Sequence, residues 1–501
     1  MRHSAGLTGF AECLLRACNP QDVLKAKEVC RLNHEISNPR KWMILAITSI
    51  GTFMGTLNST IVNVALPVMA QEMEVSISAI QWVISAYLLT TVLLLPIFGK
   101  LSEFTGKKYI FASGTLIFVV GSALCAISHT LGLLVVSRIL QAIGTSGMFS
   151  MSMGIVSEAF PVSERGKALG IVGTMVAIGT IAGSSLGGIF VSAFGWPSIF
   201  AINVPIGIIG SILSFIFLPK SYIQAENRSF DIVGTLFFSM FILIFFLALL
   251  FIQQDVLPPV YLIPAIMIAA VFLLAFIKAE TRAKNPLLDL SLFKIREFSC
   301  GLIAAYFCFI ILNSTMFFLP FFLQDILKLS TLDSGLILSA YPISMGIVAP
   351  VSGWLSDRIT YRPLTIAGMI VTAAAVLLLA ALGQTSSVLE TILVMCLLGT
   401  GLSVFQSPNN ARVMSSVSAN QLGIASSTNA LFRYIGLSSG TTFSMLIFSF
   451  SSDITISNLS GNFNAGAFLH GVVSVYLFDA FCALIAMAFS MVRIGRSSVS
   501  L

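Results

Sequence analysis

The sequence predicts an all-α polytopic membrane protein: two six-helix bundles plus two inserted helices, fourteen spans in all, with both termini cytoplasmic. Three observations predict this class. Of the 501 residues, 56% are hydrophobic and only 10% are charged, whereas soluble proteins carry roughly 25% charged residues. The apolar residues form runs of about 20, which is helix length and twice the length of a membrane barrel strand. A set of short motifs also occurs twice, which indicates duplicated halves.

The duplication is visible in three motifs that recur in the same order. The first copy contains Asn58-Ser59-Thr60, Ser85-Ala86-Tyr87 and Gly99-Lys100-Leu101-Ser102-Glu103. The second copy contains Asn313-Ser314-Thr315, Ser339-Ala340-Tyr341 and Gly353-Trp354-Leu355-Ser356-Asp357. The offsets between copies are 255, 254 and 254 residues, so the spacing is preserved as well as the order. A repeat of this length in an apolar chain predicts two similar membrane halves with a site between them.

Fourteen apolar spans can be assigned along the chain. The repeat begins in span 1 and again in span 9, so spans 1–6 and 9–14 form the bundles and spans 7 and 8 are inserted. The predicted units are an N-terminal extension (1–41), a first bundle (42–218), the insertion with its loops (219–298), a second bundle (299–492) and a tail (493–501). The spans are 42–68, 79–98, 109–128, 131–153, 168–192, 198–218, 230–252, 260–277, 299–322, 334–355, 364–383, 390–411, 423–450 and 467–492.

The positive charges orient these spans. Of the 27 Lys and Arg residues, 24 lie in the loops of one side or in the two terminal segments. By the positive-inside rule this side and both termini are cytoplasmic, and an even number of spans agrees. The same loops account for the pI near 8.9, so no nucleic-acid partner is needed. We expect a multi-pass protein of the cell membrane.

The eight cysteines predict no metal site. Five lie in apolar runs, where cysteine acts as a small hydrophobic residue. Cys13, Cys18, Cys30 and His34 cluster near the N-terminus, but their spacing matches no standard zinc pattern. We therefore expect neither a metal nor a cofactor. The first 41 residues contain no signal-peptide core and are interpreted as a cytosolic extension or as the product of an early start codon.

Two charged loops are candidates for a gate. Glycines allow a tight turn against a neighbouring helix, an acid can pair with a helix end, and lysines can face anionic lipid. A merely charged inside loop would not need to be repeated, so the second copy favours a gating role. The candidate gating residues are Gly99, Glu103, Gly106, Lys107 and Lys108 in the first loop, and Gly353, Asp357 and Arg358 in the second.

These loops resemble the signature of the major facilitator superfamily, with Phe104 where a basic residue is usual. Further motifs resemble its branch of fourteen-span drug:proton antiporters. They are Leu57–Pro67, Arg138–Gly144, Ile199–Gly207, Asp231–Gly234 and Pro286–Leu290. The matches extend from about residue 44 to about residue 440. The resemblance implies a major facilitator fold and a transporter that works by alternating access, with protons as the coupling ion. We expect it to act as a monomer.

Span 5 carries glycines at every fourth position, Gly179, Gly183 and Gly187, followed by Gly188. Such glycines line one face of a helix and let another helix approach closely. The pattern resembles the antiporter motif of the same branch, with Ser184 in place of its usual proline. Residues 183–187 also fit a nucleophile pattern, but that motif requires a preceding strand. The four histidines have no ligand spacing, so we expect no enzyme.

Charged groups inside spans are the best functional candidates, because each costs roughly 2.5–3.5 kcal/mol on insertion scales. Arg138 lies in span 4, Arg433 in span 13 and Asp479 in span 14, while Asp231 opens span 7. Arg138 could pair with backbone carbonyls, but the resemblance implies a role in proton coupling. Asp479 could pair with Arg433 or carry the coupling proton. Asp231 could simply favour a helix N-terminus.

The residues expected to face the cavity or to couple transport to protons are Asn58, Asn63, Tyr87, Arg138, Gln141, Asp231, Tyr341, Arg433 and Asp479. Asn58 departs from proton-coupled relatives, which carry an acid at this position of the first-helix motif. Asparagine can hydrogen-bond to a substrate but does not take up a proton near neutral pH. Either coupling uses another acid, or the protein is not an ordinary proton antiporter.

Two transport hypotheses remain. The leading one is proton-driven export of amphipathic or aromatic small molecules, because a cavity lined by Phe and Met accepts varied apolar ligands. The alternative is a facilitator or importer of a defined metabolite, which is compatible with Asn58 and Ser184. A membrane enzyme has no catalytic constellation to support it. The expected partners are a small-molecule substrate, protons and the lipid bilayer.

Overall fold

The computed structural model describes residues 38–75, 77–220, 231–253, 259–283, 285–452 and 465–492. These residues form fourteen long helices and no strand. The N-terminal cysteine and histidine cluster and the predicted tail 493–501 lie outside the described residues. The long helices are α1 (Asn38–Glu72), α2 (Trp82–Thr105), α3 (Lys107–Ala126), α4 (Leu131–Ala159), α5 (Arg165–Phe194), α6 (Asn203–Phe217), α7 (Ile232–Gln253), α8 (Leu262–Glu280), α9 (Arg296–Phe321), α10 (Ala340–Arg358), α11 (Tyr361–Ala381), α12 (Val388–Ser415), α13 (Leu422–Ser452) and α14 (Ala465–Val492).

Thirteen membrane-crossing candidates, long and apolar enough to span a bilayer, occur in the described part of the chain. The long helix outside this set is α13, which corresponds to the predicted span 423–450. It is rich in Ser, Thr and Gly, and it carries Arg433. The prediction of an all-helical, multi-pass membrane protein is therefore confirmed. The fourteenth span and the side on which the termini lie stay predictions.

The helices pack in two groups that follow the same pattern. In the first group, α1 packs on α5, α2 on α4, and α3 on both α4 and α6. In the second group, α9 packs on α13, α10 on α12, and α11 on both α12 and α14. Each pair of the second group comes eight helices after its counterpart. The packing therefore has the same order as the motif repeat in the sequence.

The two groups, which we call the first half (α1–α6) and the second half (α9–α14), meet through α5 against α10 and α2 against α13. These two contacts are equivalent under the repeat, because α13 comes eight helices after α5 and α10 comes eight helices after α2. Both lie at the end of the molecule that holds residues 99–108, 157–167 and 353–363, which we call the basic end. The inserted helices α7 and α8 pack on each other, and α7 also contacts α2 and α13. The insertion therefore covers one seam between the halves.

The turn between α2 and α3 is a single residue, Gly106. Its φ is 85°, a backbone conformation that residues with a side chain rarely adopt. Its backbone N–H donates to the carbonyl oxygen of Ser102 at 2.9 Å, which closes the last turn of α2. In the second half, Ser387 and Glu390 form a capping box that begins α12. Local residue chemistry thus sets where these helices end and begin.

Candidate functional site

A cavity lies between the two halves. Its volume is about 50 Å³, which is small beside the roughly 300–1,000 Å³ of pockets that hold drug-sized ligands. A ligand of that size therefore requires the halves to move apart. The lining comes from seven helices and consists of Thr52, Phe149, Ser152, Met153, Leu169, Val172, Gly173, Val176, Phe309, Met345, Ala349, Ser403, Gln406, Ser407, Asn410, Ser426, Asn429, Ala430, Arg433 and Tyr434.

The polar part of this lining comes mainly from α12 and α13. Asn429 Nδ2 lies 3.3 Å from Asn410 Oδ1, to which it donates, and 3.1 Å from Met153 Sδ. Asn429 Oδ1 and Arg433 Nε are buried without a hydrogen-bond partner. No Asp or Glu is among the lining residues, and no ion pair with Arg433 occurs within the described ranges. The cavity therefore carries one uncompensated positive charge.

Aromatic rings lie beside this charge. Phe149 of α4 and Tyr434 of α13 make an edge-to-face contact across the halves, with ring centroids 6.1 Å apart. The guanidinium carbon of Arg433 lies 5.3 Å from the centroid of Phe309, within cation–π range. Rings that come from both halves give the cavity flat apolar surfaces next to a cation and open amide groups.

The cavity is closed towards the basic end by close backbone approaches. Adding a methyl group at Gly99 would bring it into collision with the Ser427 side chain, and at Gly353 with the backbone of Gly166. Asp357 accepts hydrogen bonds from the backbone N–H groups of Gly166 and Lys167, both at 2.8 Å. Its carboxylate thus caps the N-terminus of α5 from the other half, where the helix dipole favours a negative charge.

The first gate loop is built differently from its repeat. Glu103 pairs with Lys100 at 2.6 Å, and both residues belong to α2. Lys107 pairs with Glu158 at 2.7 Å, again within the first half. Lys108 is buried. The acid of the first loop therefore stays in its own half, whereas Asp357 crosses to the other half.

In the second loop, Arg358 lies over the ring of Trp354, 4.1 Å from its centroid. Both residues belong to α10, so this contact also stays within one half. Phe104 stands where the family resemblance implies a basic residue, and the centroid of its ring lies 5.7 Å from the ammonium group of Lys100. Phe104 thus contacts a neighbouring cation and adds no positive charge of its own.

Asn58, Gln141 and Arg138 come together inside the first half, away from the cavity lining. Gln141 Nε2 donates to Asn58 Oδ1 at 3.1 Å and to Ser122 Oγ at 2.7 Å. Arg138 donates to Gln141 Oε1 and, through Nε, to the Val83 carbonyl oxygen at 3.0 Å. Each of these four polar side chains is at most 1% exposed. Gln141 therefore links the amide of the first helix to the arginine of the fourth.

Tyr87 completes this network. Its ring centroid lies 4.0 Å from the guanidinium carbon of Arg138, and its hydroxyl donates to Thr145 Oγ1 at 3.0 Å. No carboxylate pairs with Arg138 in the portion of the chain that is described. The backbone-carbonyl alternative considered for Arg138 is thus present in the structure, together with side-chain and ring contacts.

Asp479 is fully buried between α9 and α14. Thr315 donates to its Oδ2 at 3.4 Å, and its Oδ1 is buried without a hydrogen-bond partner. The sequence left open an ion pair between Asp479 and Arg433, and that alternative is wrong for this structure. The two belong to separate surroundings, since Arg433 lines the cavity and no ion pair is found for either residue in the described chain.

The remaining predicted cavity residues lie elsewhere. Asp231 caps α7, where its Oδ1 accepts from the Gly234 backbone N–H at 2.9 Å. Asn63 is exposed. Tyr341 is buried in the second half, and its hydroxyl lies 3.3 Å from Met345 Sδ. Of the nine residues predicted to face the cavity or couple transport, Arg433 is the one that lines the cavity in this conformation.

The glycine face of α5 packs on α1. Added methyl groups at Gly179, Gly183 and Gly187 would contact α1, and the contact at Gly183 would be a collision with Thr60. Gly188 has open space around it. The three spaced glycines therefore act within the first half, as the residues that let two helices approach closely.

Sequence reasoning missed the amide groups of the cavity. Gln406 and Asn410 lie on α12, and Asn429 lies on α13. The available signal was the presence of amide side chains within predicted membrane spans, where polar groups mark functional sites. The motif repeat pointed instead to the residues of the repeated motifs, and these three amide residues lie outside those motifs.

Comparison with known proteins supports this architecture. Residues 48–441 match the family model described as Major Facilitator Superfamily. The riboflavin transporter RibZ of Clostridioides difficile (strain 630) is 37% identical over 404 residues, covering 81% of this chain and 87% of the relative. The multidrug transporter protein MdtP of Bacillus subtilis (strain 168) is 30% identical over 417 residues, covering 82% and 76%.

A solved structure shares the fold. The crystal structure of the human organic anion transporter MFSD10 (TETRAN) matches with a TM-score of 0.66 at 15% identity, covering 90% of this chain and 99% of that chain. Family match, sequence relatives and fold agree with the two-half packing and the central cavity. The chain therefore belongs to the major facilitator superfamily of membrane transporters and is a multi-pass protein of the plasma membrane.

Proposed function

We propose that this protein is a proton-coupled exporter of small organic compounds that works by alternating access. It acts as a monomer and belongs to the fourteen-span branch of the superfamily. One observation carries the proposal: the two halves enclose a cavity and close it at one end through the exchanged contacts of α5 with α10 and α2 with α13. Alternating access requires a site between two similar halves that rock against each other.

The orientation follows from the charges. With α13 as the fourteenth span, the positive-inside rule puts the basic end and both termini in the cytoplasm. The residues that close the cavity, Gly99 with Ser427 and Gly353 with Gly166, then form the cytoplasmic gate. Opening this gate admits substrate from the cytoplasm, and closing it precedes release on the other side.

Proton coupling is assigned to Asp479. A coupling acid must be shielded from water and must change its surroundings during the cycle. Asp479 is fully buried, has one unpartnered carboxylate oxygen, and lies between two helices of the second half. Asn58 does not take up a proton near neutral pH, so the first-helix position is not the coupling site. Asp231 serves as a helix cap and is the reserve candidate.

A defined metabolite is the second candidate substrate. It is favoured by two points: Asn58 stands where the family resemblance implies an acid, and the relative with 37% identity is a riboflavin transporter. Riboflavin is a planar aromatic compound with several carbonyl groups, and Phe309, Arg433 and Asn429 offer a ring, a cation and an amide.

Transport into inside-out membrane vesicles separates the candidates. An acidic lumen is imposed, and the uptake of riboflavin is compared with the uptake of two xanthene dyes of opposite charge, fluorescein and rhodamine 123. A proton-coupled exporter accumulates its substrate only while the gradient lasts. Uptake of riboflavin without a gradient dependence supports the metabolite facilitator, and uptake of none of the three compounds under either condition contradicts both substrate assignments.

A further inference from the structure

We infer that the central cavity selects planar aromatic compounds that carry a negative charge. The inference rests on the proposed function, because it takes the cavity between the halves as the transport site. It goes further by naming the charge of the substrate and Arg433 as the residue that selects it.

The first observation is that Arg433 has no hydrogen-bond or ion-pair partner among the residues that the structure describes. Its Nε is buried without a hydrogen-bond acceptor, and no Asp or Glu is among the described residues that line the cavity. Arg138, by contrast, donates to Gln141. A cation held in a membrane protein without an acceptor is costly. A ligand with a negative group would supply the missing acceptor and recover this cost on binding.

The second observation is the shape of the surroundings. Phe309 lies 5.3 Å from the guanidinium carbon of Arg433, and Phe149 and Tyr434 meet edge to face in the same cavity. Flat rings favour a flat ligand. A guanidinium group also presents a planar set of donors that matches a carboxylate in a bidentate contact.

The third observation is that Asp479, the buried acid of the second half, does not reach the cavity. Asp479 is not among the lining residues, and no ion pair joins it to Arg433 in the described part of the chain. The positive charge of Arg433 is therefore open to a ligand. A cationic ligand would meet this charge with no neighbouring carboxylate to offset it.

The test compares two xanthene dyes of similar size and opposite charge, fluorescein and rhodamine 123. Binding to the purified full-length protein in detergent is followed by fluorescence anisotropy. We expect fluorescein to bind at least about tenfold more tightly, the size of effect expected from one hydrogen bond to a charged group. The Arg433→Gln variant should lose about tenfold in fluorescein affinity, with rhodamine 123 unchanged or bound more tightly.

Two further variants control this experiment. Arg433→Lys keeps the charge but loses the bidentate geometry, so it should keep part of the preference for fluorescein, which also shows that substitution at this position leaves a folded site. Arg362→Gln removes the same charge from an exposed position at the basic end and should leave the affinities of both dyes unchanged. An effect of Arg362→Gln as large as that of Arg433→Gln would overturn the inference, because net charge would then explain the preference.

Other results also decide the matter. The inference fails if rhodamine 123 binds as tightly as fluorescein, if neither dye binds, or if Arg433→Gln retains the affinity for fluorescein. Vesicle transport distinguishes this failure from that of the proposed function. Selective binding of fluorescein without any transport would contradict the proposed export function but would leave the role of Arg433 in charge selection standing. Transport of both dyes without preference would contradict only the role of Arg433.

Discussion

Arg138 is a cation at 1% exposure whose neighbours are neutral. Gln141 accepts one of its hydrogen bonds and at the same time donates to Asn58. A relative with an acid at the Asn58 position would place a carboxylate at the far side of the same glutamine. Asn58 therefore keeps the network neutral on this side of Gln141, where the family resemblance implies a carboxylate.

Restoring that acid should change how transport responds to protons. We predict that Asn58→Asp makes transport more steeply dependent on an imposed pH gradient. The new carboxyl group is titratable, and only the side chain of Gln141 separates it from Arg138 in the network. Transport rates in inside-out vesicles at several gradients measure the effect. Asn63→Asp, which adds an acid at an exposed position of the same helix, is the matched control. Identical gradient responses in the two variants would contradict the prediction.

Removing the buried acid of the second half should have the opposite effect. We predict that Asp479→Asn abolishes the response of transport to a pH gradient while the affinity for substrate stays within about twofold, less than the loss of one charged hydrogen bond. The side chain lies outside the cavity lining, which is why binding should survive. Gradient-driven uptake and equilibrium binding are measured on the same preparation.

The control for Asp479→Asn is Asp231→Asn. Asparagine caps helices about as well as aspartate, so α7 should stay folded and coupling should persist. If the wild type responds to the gradient and Asp479→Asn responds equally, Asp479 is not the coupling residue. A lost response in Asp231→Asn alone would move the assignment to the reserve candidate.

At the scale of the helices, much of the architecture could be predicted from sequence. Apolar runs located the long helices, because the length of a membrane helix is set by the bilayer. The single-residue turn at Gly106 follows from a glycine between two helices. The cavity lining was harder to predict, because it depends on how α12 and α13 are rotated against their neighbours. Asn410 and Asn429 belong to no repeated motif, so nothing in the repeat pointed to them.

The gate loops illustrate the same limit. The repeat predicted equal roles for Glu103 and Asp357, since both acids follow the same Gly-x-Leu-Ser pattern. In the structure, Asp357 bonds to two backbone N–H groups of the opposite half, whereas Glu103 bonds to Lys100 of its own helix. Sequence similarity predicts the backbone turn, but the partner of each acid depends on the packing of a distant helix.

This difference predicts unequal effects of mutation. Asp357→Ala removes two hydrogen bonds to a charged group across the gate and should slow transport by about tenfold or more, with substrate affinity changed much less. Glu103→Ala removes an ion pair within one helix and should have the smaller effect, because such pairs contribute only about 0.2–0.5 kcal/mol. Initial transport rates and binding constants are compared for both variants. Equal slowing by the two would show that the contact across the halves is not what matters.

Over the whole molecule, the helix pairs of the first half recur eight helices later, and the contacts between halves exchange under the same shift. Two similar bundles that meet in this way can rock about the cavity with little change inside either bundle. The close contacts at the basic end must then separate during each cycle. Gly99, Gly353 and Gly423 each lie where an added methyl group would collide with the opposite half, so these contacts are tight enough to seal the cavity.

Locking the basic end should therefore stop transport. A Cβ atom built at Gly423 lies 3.6 Å from Cβ of Ser102, within the roughly 3.5–4.5 Å that disulfides span. The double variant Ser102→Cys, Gly423→Cys should thus form a disulfide between α2 and α13 when oxidised. We expect vesicle transport to stop on oxidation and to return on reduction, while the single variant Ser102→Cys and the wild type, with its own cysteines, keep transporting under both conditions. Since the bond joins the halves only at the basic end, the oxidised protein should still bind substrate supplied from the opposite end.

Formation of the disulfide is verified by the mass of the linked peptides. A fully linked double variant that transports at the rate of the reduced form would rule out opening of this gate as a step in the cycle.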